Sequence, residues 1–430
     1  MNNSSPAGPL QLKFSFRMQS LAIKLGLAAR WLTMLGVTMP LVSIALSQVF
    51  LACAILAFAI EWFITRRRLR FPPITVPLLL FMLFTATSLA FSPEPFFGRA
   101  AISKFWLFAI ILLVVNVFSK EDVTQTYFAL FGLSVIAALL VIGQFLIIGQ
   151  VSVETRLTGF MGHWMTLSGE LMLAFIAAVG FFLFGRPPKL WLWLTGLALV
   201  GVALSMTLTR SVWLATLLGI IVLLLMRHFH WKTLAVAGLA AGLLAIVAPD
   251  IIQKRIYSMW DATDPSNYAR LAIWKAGHRM VEAHPWLGVG PQRVSRVFYD
   301  YHPIQSDRNR SGFYPVHMHN NLLQFAAERG IPCALAWLWL MVKLAGDHWI
   351  RFRQTPATDE IKAVSAVGFT AVVVLFTAGL FEFNFGDSEV LMVFLFLVSA
   401  PYALSDPPAH SSPFLEEGTY DPRSSSSQGN

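Results

Sequence analysis

Charged residues are scarce in this chain, and cysteines are scarcer still. Asp, Glu, Lys and Arg make up 13% of the 430 residues, against about 25% in soluble proteins. With 56% hydrophobic residues, the composition excludes an ordinary soluble enzyme and indicates a polytopic membrane protein. Cys53 and Cys333 both lie inside apolar runs, which is more typical of packing residues than of a disulfide or a metal pair.

The sequence also lacks the common motifs of nucleotide and metal sites. It contains no CxxC, HExxH or Walker A pattern and no GxGxxG after a strand, so we expect no cofactor and no metal. The formal net charge of +9 could suit nucleic acid. Because Lys and Arg cluster at the ends of apolar runs, we attribute most of that excess to membrane topology and expect no nucleic-acid partner.

Apolar runs recur along the chain, each long enough to cross about 30 Å of hydrocarbon. They predict an all-α, polytopic integral membrane protein of about 12 transmembrane helices. The predicted spans are residues 21–39, 43–64, 72–91, 103–118, 124–148, 166–185, 189–207, 211–226, 232–248, 320–345, 362–382 and 387–404. Residues 1–20 and 405–430 are predicted to be tails, the second of them disordered.

Basic residues predict the orientation. Every second short connection is basic, as after the second predicted span at residues 66–70, which places both termini in the cytoplasm. The long connection at 249–319 then lies outside, between nine spans (21–248) and the last three (320–404). It holds nine Lys or Arg against six Asp or Glu. Targeting does not explain a basic excess there, so we expect an anionic ligand.

Part of this loop is predicted to be helical. Residues 268–283 are amphipathic, with Leu271, Trp274, His278 and Val281 on one face. The turn residues of the following segment, 284–291, end the helix. The loop is therefore expected to be partly folded.

Two arginines are candidates for binding an anion. Arg210 lies in a short outward turn between the seventh and eighth predicted spans. An arginine reaching the lipid head groups is the alternative, but positive charge is disfavoured outside and we favour function. Arg270, taken alone, is better explained as a surface arginine stacked on Trp274. If it converged on Arg210, the two could hold a diphosphate.

The most unusual segment is residues 314–330, which is polar where it opens an apolar run. On a helix, His317, Asn321, Gln324 and Glu328 would share one face. Polar side chains at the mouth of a membrane helix are costly unless they meet a partner, a cavity or a substrate. We therefore expect the functional site here.

The histidines of this segment suggest acid–base chemistry. A His-x-His pair such as His317 and His319 can bind metal, but no carboxylate or thiolate lies close in sequence. A structural histidine bonded to backbone is the alternative. Because Asn320, Gln324 and Glu328 lie beside them, we favour catalysis by a residue whose ordinary pKa of about 6.5 suits proton removal.

Other polar residues on the predicted outer side are less distinctive. Arg156 and His163 precede the sixth span and could face the same cavity, although a plain interfacial loop fits equally well. Glu382 and Asp387, in the last outer hairpin, are typical of helix-capping residues.

Together these motifs resemble the O-antigen ligase family, which includes related polymerases and protein O-oligosaccharyltransferases. The resemblance rests on His317-x-His319-Asn320-x-x-Leu323-Gln324-x-x-x-Glu328-x-Gly330, Thr209-Arg210-Ser211-x-Trp213, Arg270-x-x-x-Trp274 and His284-Pro285-Trp286-Leu287-Gly288-x-Gly290. It covers roughly residues 150–345, while the first five spans match only in hydropathy.

The resemblance implies a GT-C-like, metal-independent glycosyltransferase of the bacterial inner membrane with its active site facing the periplasm. The donor would be a glycan on undecaprenyl diphosphate, and the acceptor a hydroxyl of the lipid A–core oligosaccharide. Arg210 and Arg270 would bind the diphosphate, and His319 would activate the acceptor with inversion at the anomeric carbon. The residues predicted to contact substrate are His317, Asn320, Gln324, Trp274, Arg156, His163 and Glu328.

Among related activities we favour the ligase, on the expectation that no large extra-membrane domain follows the last span. A polymerase or a protein O-oligosaccharyltransferase is the alternative within the family. A lipid-linked-glycan transporter is the alternative outside enzymes. It would need charged residues along a crossing path, and the predicted spans are nearly free of them.

Overall fold

The computed structural model describes residues 9–149, 156–185, 187, 189–227, 250–261, 263–302, 316–356 and 360–404. The described residues form α-helices joined by turns and short 3₁₀ segments, with no β-strand among them. The all-α prediction is confirmed. The helices are α1 (Pro9–Thr38), α2 (Ile44–Thr65), α3 (Thr75–Ala90), α4 (Pro95–Ser103), α5 (Ala109–Val117), α6 (Lys120–Ile148), α7 (Trp164–Phe184), α8 (Leu190–Met206), α9 (Arg210–Met226), α10 (Asp250–Tyr257), α11 (Pro265–Ala283), α12 (Val294–Tyr301), α13 (Asn321–Arg329), α14 (Ile331–Gln354), α15 (Glu360–Ala378) and α16 (Ser388–Ala403).

Ten apolar segments of the described chain identify a multi-pass membrane protein. Six are long and apolar enough to cross a bilayer: Arg17–Leu41, Ile44–Thr65, Pro95–Val117, Lys120–Ile148, Trp164–Phe184 and Glu360–Ala378. Four apolar helices are shorter: α3, α8, α9 and α16. These segments do not establish the predicted count of about 12, and the predicted span at 232–248 lies outside the described residues. Helix α1 also begins at Pro9, inside the predicted tail.

The predicted tenth span is not one helix. Gly330 has a φ of +85°, a conformation that glycine adopts without steric cost, and it separates α13 from α14. The polar motif therefore lies on its own short helix. Because α13 begins only at Asn321, the prediction that His317 shares a helical face with Asn321 is wrong.

Helix α15 lies at the centre of the bundle, packed against α7, α9, α14 and α16. Glycines allow these helices to approach closely. A Cβ added at Gly180 of α7 would lie 2.4 Å from Val367, and one at Gly219 of α9 would lie 2.5 Å from Val374. Small residues at such crossings are typical of membrane helices, whose association depends on close packing.

The long connection between α9 and α13 has a hydrophobic core of its own. Ile273, Met280, Val294, Phe298 and Met318 are at most 1% exposed and pack together. The predicted amphipathic helix is confirmed as α11. It starts three residues earlier than predicted because the Asp264 side chain accepts hydrogen bonds from the first free backbone N–H groups. The helices of this connection thus form a folded layer over one end of the bundle.

Candidate functional site

The segment that carries the two histidines is fixed through the residue between them. Met318 is fully buried. Its N–H donates to Gln324 Oε1 at 2.6 Å, and its carbonyl accepts from Trp274 Nε1 at 3.0 Å. His319 follows with a φ of +48°, a left-handed conformation that costs a non-glycine residue roughly 1–3 kcal/mol. Contacts from α11 and α13 therefore hold His319 in a strained but defined position.

His319 pairs with a carboxylate from the hairpin between α15 and α16. Its Nδ1 lies 3.2 Å and 3.3 Å from the two oxygens of Glu382. Glu382 is 7% exposed. Burial by itself raises the pKa of Glu382, but the hydrogen bond from His319 and the charges of His319, His317 and Arg270 outweigh it, and the pKa lies below its ordinary value. The side chain is therefore an ionised partner for His319, and the prediction that it caps a helix is wrong.

Two asparagines fix this hairpin against α13. Asn320 donates from Nδ2 to the carbonyl of Leu380 at 3.0 Å, while its Oδ1 caps α13. Asn321 donates from Nδ2 to Asn384 Oδ1 at 2.7 Å, and its backbone N–H donates to the carbonyl of Gly379 at 2.7 Å. These bonds hold Glu382 and His319, which come from different elements, in register.

The glycine-rich turn after α11 packs its backbone directly on the end of α13. The N–H of Gly290 donates to the carbonyl of Glu328 at 3.0 Å. A Cβ at Gly288 would lie 2.2 Å from the carbonyl carbon of Glu328, and one at Gly330 would lie 2.1 Å from the oxygen of Trp286. No side chain fits at either glycine. The motif 284–290 therefore locks the folded layer to the bundle beside the histidines.

Arginines and His319 surround a cavity of about 210 Å³, which we call the arginine cavity. It is lined by Arg156, Arg255, Arg270 and His319, together with Trp164 and residues of α11. Arg255 donates from Nε to the carbonyl of Leu208 at 3.1 Å. Arg270 makes no hydrogen bond or ion pair with any residue in the described part of the chain.

These arginines repel one another. Burial lowers the pKa of Arg156, Arg270 and Arg255, and neighbouring arginines lower them further, while the charge of Glu382 acts in the opposite direction on Arg156 and Arg270. The pKa of Arg255 falls to about 10. Like charges held together away from water create a strong positive potential, which a multivalent anion would relieve. Arg255 was missed from the sequence because nothing in its spacing separates it from the other basic residues of the loop.

Arg210 is close to this cavity but does not line it. The side chain is 7% exposed and donates to the carbonyl of Ser258 at 2.7 Å, to Asn267 Oδ1 at 2.8 Å and to Asp264 Oδ1 at 3.3 Å. It therefore ties the start of α9 to the start of α11. Its charge contributes to the lowered pKa of Arg270, but its hydrogen bonds go to the folded layer.

A larger cavity of about 350 Å³ also borders the histidine pair, since His317 lines it. We call it the carboxylate cavity because Glu328, Glu382 and Asp387 line it, together with His317. The predicted residues Gln324 and His163 also line it, as do Lys104, Gln292, Ser295 and several phenylalanines. Both cavities thus border the histidine pair, but among the described residues only the larger one is lined by carboxyl groups, together with the cations Lys104 and Arg329.

Burial perturbs several residues of the carboxylate cavity. It raises the pKa of Glu328. The pKa of Asp387 is raised to about 7, by burial and then by the charges of Glu382 and Glu389. Asp387 occupies the N-cap position of α16, as the helix-capping alternative predicts, but its side chain makes no capping hydrogen bond and instead accepts one from Thr166 Oγ1 at 3.3 Å. The pKa of His163 is lowered by burial, while its Nδ1 caps α7.

The fold also assembles a possible metal-ligand set. His317, His319 and Glu382 each offer one ligand atom, and these atoms lie within 4.8 Å of one another. Burial lowers the pKa of His317 to about 4, so its imidazole is neutral near pH 7 and able to ligate. The sequence analysis found no carboxylate nearby because Glu382 is 63 residues from His319. Metal independence therefore stays a prediction.

The predicted site residues fall into three groups. His319, Arg270 and Arg156 line the arginine cavity. A second group, His317, Gln324, Glu328 and His163, lines the carboxylate cavity. The third group, Arg210, Trp274 and Asn320, lines neither and instead holds the backbone around the site.

Comparison with known proteins tests the resemblance to a family. Residues 195–338 match the family model described as O-antigen ligase. The resemblance to the O-antigen ligase superfamily is confirmed. A Rickettsia conorii protein described as "Putative polysaccharide ligase" is 24% identical over 161 residues, which are 37% of this chain and 37% of that protein. The O-antigen ligase match includes Arg210, Arg255, Arg270 and His319, whereas Glu382 lies beyond it.

Proposed function

We propose that the protein is an O-antigen ligase. It transfers a glycan from undecaprenyl diphosphate to a hydroxyl of the lipid A–core oligosaccharide at the periplasmic face of the inner membrane, without metal or nucleotide. The observation that carries the proposal is the arginine cavity, in which Arg270, unpaired among the described residues, lines the same wall as Arg156, Arg255 and His319. This arrangement places an anion site beside a base.

The arginines account for the donor half of the reaction. A lipid-linked diphosphate carries several negative charges, and charge-assisted bonds from Arg270, Arg255 and Arg156 would neutralise it. Negative charge grows on the diphosphate as the glycosidic bond breaks. Donors that are already in place stabilise that charge without reorganisation. The activated leaving group supplies the driving force, so the proposal needs no nucleotide.

His319 and Glu382 account for the acceptor half. With the Nδ1 proton donated to Glu382, the Nε2 atom of His319 is free to accept the proton of the acceptor hydroxyl. The acceptor oxygen then forms a bond to the anomeric carbon, and the bond from that carbon to the diphosphate breaks. The diphosphate leaves with the electron pair. Attack from the side opposite the leaving group gives inversion, and Glu382 stabilises the imidazolium that results.

Arg210 would serve this reaction by positioning. Its bonds to Ser258, Asp264 and Asn267 hold the first turn of α11, the helix that carries Arg270. Loss of Arg210 would release that helix and also remove a charge beside the cavity. We therefore expect Arg210→Ala and Arg270→Ala to abolish transfer by different routes, with only the first loosening the folded layer.

A reconstituted reaction tests the proposal. Purified protein in detergent is mixed with undecaprenyl-diphosphate glycan and lipid A–core, with EDTA and no nucleotide. Glycan should appear on lipid A–core, and Arg270→Ala should abolish it. Lys275→Ala, which removes an exposed cation from the same helix, should leave the rate unchanged.

The same reaction separates the alternatives. Lengthening of the lipid-linked glycan without added acceptor would make the protein a polymerase. Transfer to an added protein but not to lipid A–core would make it a protein O-oligosaccharyltransferase. If the protein binds donor yet forms none of these products, and moves donor across vesicle membranes instead, the enzyme proposal fails in favour of a transporter.

A further inference from the structure

We propose that the carboxylate cavity is the binding site for the acceptor saccharide, and that it takes a hydroxyl-rich sugar ring and not the diphosphate or the lipid. The inference rests on the proposed function, since it assigns the second substrate of that reaction to a site. It goes beyond it by naming the residues that recognise the acceptor.

The charged groups differ between the two cavities. Arg156, Arg255 and Arg270 line the smaller one, whereas the larger is lined by three carboxyl groups, of Glu328, Glu382 and Asp387, together with Lys104 and Arg329. In the smaller cavity an anion would meet three arginines and, among the described residues, no carboxyl group, whereas in the larger one it would also face three carboxyl groups. Anionic donor groups are therefore expected in the arginine cavity, which leaves the larger cavity for an uncharged or mixed polar group.

The lining chemistry of the larger cavity fits a sugar. Carboxylates and amide oxygens accept hydrogen bonds from hydroxyls, and Gln292 and Gln324 also donate. Phe97, Phe105 and Phe383 offer apolar ring faces beside these polar groups. A cavity that combines aromatic walls with a few polar groups is typical of a small-molecule site, and about 350 Å³ lies within the usual range of roughly 300–1,000 Å³. A polyprenyl chain could offer no hydrogen bonds to the polar groups of this cavity.

The position of the larger cavity also fits. His317 lines it, and the rings of His317 and His319 have centroids 4.2 Å apart. Glu382 lines it too and bonds His319 directly. A hydroxyl in this cavity would lie close to His319, which itself lines the arginine cavity. In-line displacement requires the acceptor oxygen, the anomeric carbon and the departing diphosphate oxygen to lie in line, with the base beside the acceptor oxygen.

Two adjacent phenylalanines of α4 provide a matched test. Phe97 lines the cavity and is 38% exposed, with Arg296 3.9 Å above its ring. Phe96 is 76% exposed, with Arg99 4.0 Å above its ring, and is not among the residues that line the cavity. Phe97→Ala should raise the KM for lipid A–core about 2- to 10-fold, as expected for one lost ring contact, with the donor KM unchanged. Phe96→Ala should change neither constant.

Two further variants each reduce the volume of one cavity. Ser295→Phe adds a ring inside the carboxylate cavity, and Ala269→Phe adds one inside the arginine cavity. Ser295→Phe should raise the acceptor KM, and Ala269→Phe should raise the donor KM. If Phe97→Ala and Ser295→Phe raised the donor KM or left both constants unchanged, the assignment would be overturned.

Binding without turnover separates this inference from the proposed function. Saturation-transfer difference NMR with free core oligosaccharide should give sugar signals for the wild-type protein and for Arg270→Ala, and weaker signals for Ser295→Phe. Equal signals from wild type and Ser295→Phe would refute the acceptor site even if transfer occurs. Weaker signals for Ser295→Phe would support a saccharide site even if the reaction proved to be a polymerase.

Discussion

The contact between His319 and Glu382 makes the sharpest prediction of the account. Glu382→Gln keeps the size of the side chain and one hydrogen-bond acceptor but removes the negative charge. Two unit charges 3.2 Å apart attract by about 5 kcal/mol at an effective dielectric constant near 20. This is the attraction that would stabilise the imidazolium formed when His319 accepts a proton.

Only part of that attraction should appear in the rate. His319 is 24% exposed and Glu382 9% exposed by side chain, so water screens some of the charge, and the amide recovers one hydrogen bond. We expect a loss of roughly 2–4 kcal/mol in transition-state stabilisation, which is about a 30- to 1,000-fold decrease in kcat. Asp261→Asn, which alters an exposed carboxylate of the same folded layer, should change kcat by less than about twofold.

The assay is kcat of glycan transfer at saturating donor and acceptor in detergent. His319→Ala should decrease kcat at least as much as Glu382→Gln, and the double variant should be no slower than His319→Ala alone, because both residues act through one imidazole. The reasoning is refuted if the kcat of Glu382→Gln lies within threefold of the wild-type value, or if the decreases in kcat caused by the two substitutions multiply in the double variant.

Three further predictions follow from other contacts. Gly288→Ala should lower stability by at least 2 kcal/mol, because its φ is +67° and a Cβ would lie 2.2 Å from the Glu328 backbone. Gly346→Ala, where a Cβ would have no neighbour within 4 Å, should instead stabilise helix α14 by about 0.5–1 kcal/mol. Thermal unfolding in detergent measures both effects. Burial lowers the pKa of His317 to about 4, so as the pH falls from about 6.5 the unfolded chain binds a proton at this residue before the folded chain does. Up to about 3 kcal/mol of stability should therefore be lost between pH 6.5 and 4. His317→Gln should make the free energy of unfolding depend less on pH over that range. EDTA should leave the transfer rate unchanged despite the His317, His319 and Glu382 set; a loss that added metal restores would reject the metal-free mechanism.

The fold class could be predicted from the sequence because composition and the lengths of the apolar runs are local properties. It also located the polar segment at 317–330, since such residues are rare next to an apolar run. The break at Gly330 was missed because the apolar pattern runs through it, although glycine followed by Ile331 and a proline is a helix end and a helix start.

The partners of the histidine were beyond sequence reasoning. Glu382 is 63 residues from His319, and tertiary contacts such as the bonds of Asn320 and Asn321 to the hairpin bring them together. Arg210 shows the converse. Its position in a short turn on the predicted outer side suggested a ligand contact, but its guanidinium donates hydrogen bonds to Asp264 and Asn267. Which arginine has spare hydrogen-bond donors depends on tertiary contacts.

The glycine motif could be found from the sequence but not explained from it. The φ values of Gly288 and Gly290 are +67° and +103°, and the backbone of the motif lies against α13. The pattern signalled a turn, whereas its purpose is close backbone contact beside the site.

The most direct test of the central claim is a structure of the protein with undecaprenyl diphosphate bound, determined by electron cryo-microscopy in a lipid nanodisc. The account predicts the diphosphate in the arginine cavity, within hydrogen-bond distance of Arg270 and Arg255, and with His319 facing it. Diphosphate density in the carboxylate cavity, or at a place where Arg270 makes no contact, would contradict the account.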